Sequence, residues 1–530
     1  MTAPFTEHLA LLASSPNGVA SLRSLVRELA ASGALIEQNE ADESANEILI
    51  RTAKAKKQLG IMPTKPSTGA SSSREIPRGW VNTRFEMICL EASTGPFGSL
   101  IHKSDYVRGG VPLVNPSHMI NGRIVADPDV SVTPLMAATL SAYRLTAADM
   151  VLARRGEVGR VARVTADENG WLCGTGSFRL RFTEDISREF MSLLFTCSSS
   201  RKYLARAAVG TTMVNLNHGV LASMPIALPP LAEQYRIVAK VDELMALCDR
   251  LEARQQDAEA AHTQLVQVLL SSLTEARDAK AFQASWERVA GQFETLFTTE
   301  SSIDRLWRSV LDIAAQGRLV SGDADTPRVP IAEVLTGDTL NGCSHKPSDA
   351  PDGTPILRIS AATGSQDFVV DEFDHKWVTL TDVEREKFRL KPNDLLACRF
   401  NGNLRFVGAF AIYRGGSSLD PVFPDKLIRF RVNPHRVLAD YLRFVMNALP
   451  ARSQIESLCA TTVGNIGISA TNLKTVMVRV PTLEEQRRIV DSLSALLSVC
   501  SKLKSCLKAS RLQHAKLAEA IVAEALTASI

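Results

Sequence analysis

The chain has 530 residues, 45% of them hydrophobic and 22% charged, and its 60 Lys and Arg against 57 Asp and Glu give a formal net charge of +3. Single cores stop growing near roughly 250–300 residues, so two or more domains are expected, while so small a net charge makes no case by itself for a nucleic-acid partner. No apolar run reaches the about 18 residues of a membrane span, no secretory signal opens the chain, and the nine cysteines are scattered and never spaced CxxC, which argues against a disulfide framework or a zinc site and for a cytoplasmic protein with no membrane partner.

In chain order, residues 1–75 form a helical segment and linker. Leu22, Val26 and Leu29 share one helical face, Gly33 stands where a helix ends, and Pro66–Ser73 has a flexible linker's composition. Residues 76–230 are rich in short β-like runs, among them Val158–Val164 and Ser177–Phe182, punctuated by Gly and Pro. Residues 231–345 are helical. Residues 346–480 return to β-like runs (Phe406–Tyr413, Lys426–Val432), and residues 481–530 are helical again.

Two internal repeats organise this plan. Leu228-Pro-Pro-Leu-Ala-Glu-Gln-Tyr-Arg-Ile-Val238 returns 252 residues later as Val480-Pro-Thr-Leu-Glu-Glu-Gln-Arg-Arg-Ile-Val490. The register then holds without a gap, through Cys248 with Cys500 and His262 with His514. Ile237, Val241, Leu244, Cys248 and Leu251 step by four and three, as do Ile489, Leu493, Leu496, Cys500 and Leu503. That is a heptad seam, and the simplest partner for each helix is the other, lying antiparallel. Glu233-Gln234 and Glu485-Gln486 occupy the first turns, where acids suit the positive helix end. The second repeat, Leu22–Ile36 with Leu306–Val320, is offset by 284. One unit is therefore intact in the middle of the chain and the other is cut between its two ends, a circular pseudo-symmetry. The N-terminal helix should then pack beside the C-terminal one.

The β-rich segments also match each other: Asp149-Met-Val-Leu-Ala-Arg154 parallels Asp394-Leu-Leu-Ala-Cys-Arg399, and Thr211, Thr212 and Asn215 parallel Thr461, Thr462 and Asn465. Each segment has a net charge of +4, and 14 of the 16 basic residues in 76–230 are Arg, the side chain suited to bidentate contacts with guanine edges and phosphates. Arg154, Arg155 and Arg160 flank Gly156 and Gly159, and Arg399, Asn401, Asn403 and Arg405 surround Gly402. Such turns reach bases or phosphates, or are plain solvated hairpins. His102, Lys103, Thr211, Thr212, Asn215 and Asn217, with Arg358, Thr461, Thr462 and Asn465 in the second segment, complete the candidate DNA contacts. Hydroxyls and amides near Gly hold phosphates or cap turns.

Leu228–Ala253 closely resembles the central conserved region of type I restriction-modification specificity subunits. Ile76-Pro-Arg-Gly-Trp80, Gly98-Ser99 with Tyr106, Gly110-Val-Pro112, and Gly210-Thr-Thr212 with Asn215-Leu-Asn217 add to the resemblance. The second half departs from the pattern in Ala460-Thr-Thr-Val-Gly464 and Pro481-Thr482. The resemblance implies an α+β protein with two β-rich target-recognition domains separated by long antiparallel coiled-coil helices, pseudo-twofold in arrangement. Each domain would read one half of a split double-stranded DNA site. The helices, with Glu233, Gln234, Ile237, Val241, Leu244, Leu251, Glu485, Gln486, Ile489, Leu493, Leu496 and Leu503, would serve as spacer and as the dock for two methyltransferase subunits, joined by restriction-translocase subunits.

No Asn-Pro-Pro-Tyr/Phe, GxxxxGK[ST], HExxH or GxSxG motif occurs. The chain is therefore expected to be non-catalytic, without cofactor or metal; S-adenosylmethionine, ATP and Mg belong on the partner subunits. Two other readings stay open: a coiled-coil assembly scaffold that never touches DNA, and a specificity subunit of another restriction type.

Overall fold

The computed structural model describes residues 12, 15, 17–61, 76–96, 100–207, 216–319, 326–365, 367–462 and 465–527. They fall into two compact units, Met1–Asp257 with Arg511–Ile530, and Ala258–Ser510. The fold is α+β, with helices and several small sheets.

In the first unit the helix Gly18–Ser32 buries Val19, Leu22, Leu25, Val26 and Leu29 along one stripe. Gly33, at φ 80°, ends it: its N–H reaches the Ala30 carbonyl, and the next N–H, of Ala34, returns 3.0 Å to the Leu29 carbonyl. The second unit repeats the device. Its helix Glu300–Ala315 is opened by Thr299, whose hydroxyl accepts the Ser302 N–H at 3.1 Å. It closes at Gly317 (φ 77°), where Arg318 N–H donates to the Ile313 carbonyl at 3.0 Å.

A Cβ at Gly317 would stand 1.8 Å from Arg479 Nη1, and that guanidinium is buried and held by Glu485 and Thr326. Gly317→Ala therefore combines left-handed backbone strain with a collision against a pinned cation. It is expected to cost about 2 kcal/mol or more, seen as a lowered midpoint of chemical unfolding; an unchanged midpoint would refute the account.

Each unit's main sheet has four antiparallel strands in one order. In the first unit these are Cys89–Thr94, Ser177–Phe182, Asp149–Ala153 and Val161–Arg163. In the second they are Leu340–Asn341, Leu427–Phe430, Leu395–Cys398 and Phe410–Ile412. The central strands read as unbroken apolar runs because both faces are covered. Met150 and Leu152 join one core with Leu25, Phe178, Phe190 and Leu194, while Val151 and Ala153 join another with Val114, Met119 and Leu145. Leu395 with Ala397, and Leu396 with Cys398, divide in the same way.

The strand expected at Val158–Val164 shortens to Val161–Arg163, and that at Phe406–Tyr413 to Phe410–Ile412. The cause is the same in both: Gly159 and Gly408, at φ 87° and 68°, turn the chain before extended backbone can resume. The first β-rich region is closed at its ends, Val81–Arg84 pairing with Pro225–Leu228; in the second unit Arg328–Pro330, ahead of the β-rich region, pairs with Met477–Arg479 at its end.

The helices Leu231–Thr274 and Leu483–Thr527 follow those closing strands. Their seams meet more than another helix. In the first unit Ile237 and Val241 are buried in the core formed by the sheet and the N-terminal helix, and Leu244 packs against it. Further on, Cys248 and Leu251 meet Leu22 and the end of the C-terminal helix at Ala518 and Ile521. In the second unit Ile489 and Leu493 join the sheet core, which also takes in Val266, Leu270, Leu306 and Val310, with Leu496 and Leu503 packed alongside. A heptad seam specifies an apolar partner and leaves open which one.

Ion pairs on these short helices have opposite sense in the two units. Arg23 reaches Asp249 (2.5 Å) and Glu252 (2.8 Å) on the long helix, whereas Asp304 and Glu300 face Lys504 and Lys508. Exposed pairs add little stability, but their reversed sign penalises docking of either short helix in the other's place.

Seven cysteines are buried, Cys459 is half-buried and Cys506 exposed, all unpaired. Burial pushes the thiols of Cys89, Cys173 and Cys197 up to about 12, which keeps them protonated and unreactive. Among the described residues no helix is long and apolar enough to cross a membrane.

Candidate nucleic-acid interface

In the first unit the turn between Asp149–Ala153 and Val161–Arg163 carries Arg154, Arg155 and Arg160. Arg154 is half-buried: Nε donates to the Leu216 carbonyl at 3.0 Å, and its guanidinium lies 5.8 Å from the Phe178 ring centroid. Burial, reinforced by Arg155, lowers its pKa. Arg160 donates to the Pro116 carbonyl (3.2 Å) and pairs with Glu157. Arg155 is exposed and, among the described residues, has no carboxylate partner. It is the cation of this turn left available to an anion.

His102 is exposed, and its backbone N–H donates to Asp105 at 2.7 Å. Lys103 lies in the short turn Lys103–Asp105, its side chain outside the described residues. Asn217 caps the helix His218–Ala222 by accepting the Val220 N–H at 2.9 Å. Thr211, Thr212 and Asn215 lie outside the described residues.

The second unit gathers more of its candidates. A three-stranded sheet pairs Phe400–Asn401 with Asn465–Gly467, and that strand with Ala460–Thr462. Asn401, Thr461, Thr462 and Asn465 thus share one small sheet, with Arg399 at its edge; the Thr462 side chain lies outside the described residues. Arg399 stacks 4.6 Å from the Phe400 ring centroid, and Arg405 lies 5.9 Å from that of Phe406. Asn401 accepts the Asn403 N–H (2.9 Å), and Asn403 accepts the Arg405 N–H (3.0 Å), so both amides shape the turn. Arg358 is apart from this group, in ion pairs with Asp349 and Asp374 at 3.6 Å each. Exposed Lys426, whose carbonyl accepts the Arg399 N–H at 2.7 Å, adds a cation that sequence spacing had not singled out. It lies 27 residues further on, in the turn before the strand Leu427–Phe430, and only sheet pairing reveals the proximity.

Gln234 and Gln486 are fully buried and form matching ties. Gln234 Oε1 accepts the Ser187 N–H (2.8 Å) and Nε2 donates to the Pro229 carbonyl (3.0 Å). Gln486 accepts the Leu438 N–H (2.8 Å) and donates to the Pro481 and Arg436 carbonyls. Both link the first turn of a long helix to the start of the helix that follows the main sheet. Their neighbours Glu233 and Glu485 are also buried, the first accepting from Gln38 (3.1 Å), the second paired with Arg479 (3.3 Å). The glutamines thus anchor each β-rich region to its long helix, while Glu233 ties its helix to Gln38 of the N-terminal segment.

Residues 97–260 match the family described as type I restriction modification DNA specificity domain. Over 592 aligned residues the chain is 25% identical to the type I restriction enzyme EcoEI specificity subunit of Escherichia coli, covering 96% of this chain and 93% of that protein. The chain is thus similar to type I restriction enzyme specificity subunits over nearly its whole length. Its likeness to the EcoAI specificity subunit of the same organism is of the same kind, 24% identity over 575 residues and 96% and 94% of the two chains. A solved structure titled for complex assembly and conformational transition of the type I R-M system, 19% identical, shares the fold at a TM-score of 0.50, covering 86% of this chain and 99% of that one.

Proposed function

We propose that the chain is the DNA sequence-reading subunit of a type I restriction-modification complex, and that residues 76–230 and 346–480 each read one half of a split double-stranded target. The observation that carries this reading is the repeat of one four-stranded order on two closed, anchored inserts whose exposed turns differ in content. A common scaffold with divergent cationic and amide turns suits one task performed on two sequences. Arg155 on one insert, and Arg399, Arg405 and Lys426 on the other, are the side chains best placed for phosphates or base edges.

In this proposal the helices Leu231–Thr274 and Leu483–Thr527 pair as an antiparallel coiled coil, and the whole has circular pseudo-symmetry. Two contacts support it: Leu22 with Cys248 and Ala518 in one core, and Leu306 with Cys500 and Val266 in the other, which are equivalent under the offsets of 284 and 252. Catalysis, with S-adenosylmethionine, ATP and Mg, resides on two methyltransferase subunits and the restriction subunits that this cytoplasmic chain recruits.

Sequencing the methylated bases of the host, with and without this gene, tests the reading. Loss of one bipartite methylated motif on deletion is expected; an unchanged methylome would reject it.

A further inference from the structure

The first unit contains an open cavity of about 810 Å³, lined from the N-terminal helix, the turn at Asn121-Gly122, the strand Val161–Arg163, the helix Arg188–Thr196 and the start of the long helix. Its volume lies within the roughly 300–1,000 Å³ of small-molecule sites. Five arginines line it against three acids. Arg160 is matched by Glu157 and Arg163 by Glu189, and Asp242 is exposed at the margin. Among the described residues, no carboxylate lies within ion-pair distance of the other three, Arg27, Arg123 and Arg201. Ser192, on the same wall, has a buried hydroxyl with no hydrogen-bond partner among the described residues, an arrangement that native interiors rarely leave unfilled.

The second unit lines the corresponding place differently. Arg27 is replaced there by buried Leu311, 284 residues on. The helix Ala439–Asn447, tied by Gln486 as Arg188–Thr196 is by Gln234, brings buried Phe444 against Trp307 and Phe368 at centroid distances of 5.9 and 6.4 Å. Arg443 is turned to the Asp367 carbonyl at 2.7 Å. The folding scaffold common to both units therefore does not require a cation at the place of Arg27. Half-burying Arg27 close to Arg201 without a counter-charge is costly, and burial first, with Arg201 and Arg23 adding to it, lowers the Arg27 pKa.

We propose that this cavity binds phosphate oxygens, held by Arg27, Arg123 and Arg201 with the Ser192 hydroxyl as a further donor. The phosphate comes either from a free anion of nucleotide size or from the backbone of the bound DNA. Planar, always-charged guanidinium forks suit the several oxygens of a phosphate. The DNA source rests on the reading proposed above; the free source does not.

The full-length chain and its Arg27→Gln/Arg201→Gln variant decide the matter by calorimetric titration with inorganic pyrophosphate and AMP, and by DNA binding measured against salt. If the source is free, the wild type binds a probe and the variant binds at least tenfold more weakly. If the source is DNA, the probes do not bind, while the variant loses affinity equally for all sequences and its log K against log salt slope becomes shallower by roughly 0.9 for each phosphate no longer neutralised. Wild-type and variant chains alike in both measurements would overturn the proposal. Should the double variant fail to fold, exposed Arg123→Gln is read in the same way. A wild-type chain that binds no DNA would fail the DNA-reading proposal and leave the pyrophosphate and AMP titrations to decide this one.

Discussion

Asp394→Ala is expected to destabilise the second unit by about 3 kcal/mol, and Asp149→Ala the first by a similar amount. Both carboxylates are almost wholly buried. Asp149 accepts two hydrogen bonds from Arg181, at Nε (2.7 Å) and Nη2 (2.9 Å), and two more from the Thr146 N–H and hydroxyl. Asp394 accepts from Arg431 at 2.7 and 3.1 Å and from the Lys391 N–H at 2.9 Å. Removing the acid takes from Arg431 its carboxylate partner, leaves Arg181 only Glu91 at 3.6 Å, and leaves backbone donors unsatisfied within the sheet. Asp394→Leu with Arg431→Met removes both charges, so the double replacement should be less damaging than Asp394→Ala alone. Denaturant midpoints of the three chains check this; a double variant as weak as the single one would show that packing, not the stranded charge, sets the loss.

Under the proposed reading, replacing residues 81–228 with the equivalent segment of a relative is expected to change one half of the methylated target and leave the other half as it was. Val81–Arg84 and Pro225–Leu228 pair residue for residue, so the insert enters and leaves at one place, and the graft needs a compatible two-stranded ribbon together with an apolar face that packs on Leu25, Ile237 and Val241. Gln234 lies outside the exchanged segment and its partner Ser187 inside it. Because the bond to Ser187 is made to a backbone N–H, it tolerates a change of side chain there. Methylated-base sequencing of cells carrying the hybrid reads the outcome, and a change in both halves would refute independent reading by the two inserts.

Much of this architecture was legible beforehand. The offsets of 252 and 284 located the duplication, the glycines at 33 and 317 marked the helix ends they do terminate, and Ser177–Phe182 is a strand over the stretch expected. These features are local: periodicity, caps and apolar alternation follow from the conformation of neighbouring residues. The matched Asp149 and Asp394 were visible as well, but their partners were not, since Arg181 and Arg431 reach them only through the antiparallel register of the central strands.

The candidate site divides along the same line. Arg155 and the turn around Gly402 stay at the surface, as Arg and Asn beside Gly lead one to expect. Arg154 is drawn inward over Phe178, Arg358 is held by two aspartates, and Asn217 and Asn403 cap the turns that follow them. Sequence alone determined the duplication, the two long helices and the two β-rich inserts, because each is written in short-range patterns. Only the tertiary structure decided which polar groups are engaged and which remain free, and that Gln234 and Gln486 bind each insert to its helix. A hydrogen bond or ion pair depends on atoms brought within about 3 Å, and residues 47 or 48 positions apart, such as Gln234 with Ser187 and Gln486 with Leu438, come that close only once the chain has folded.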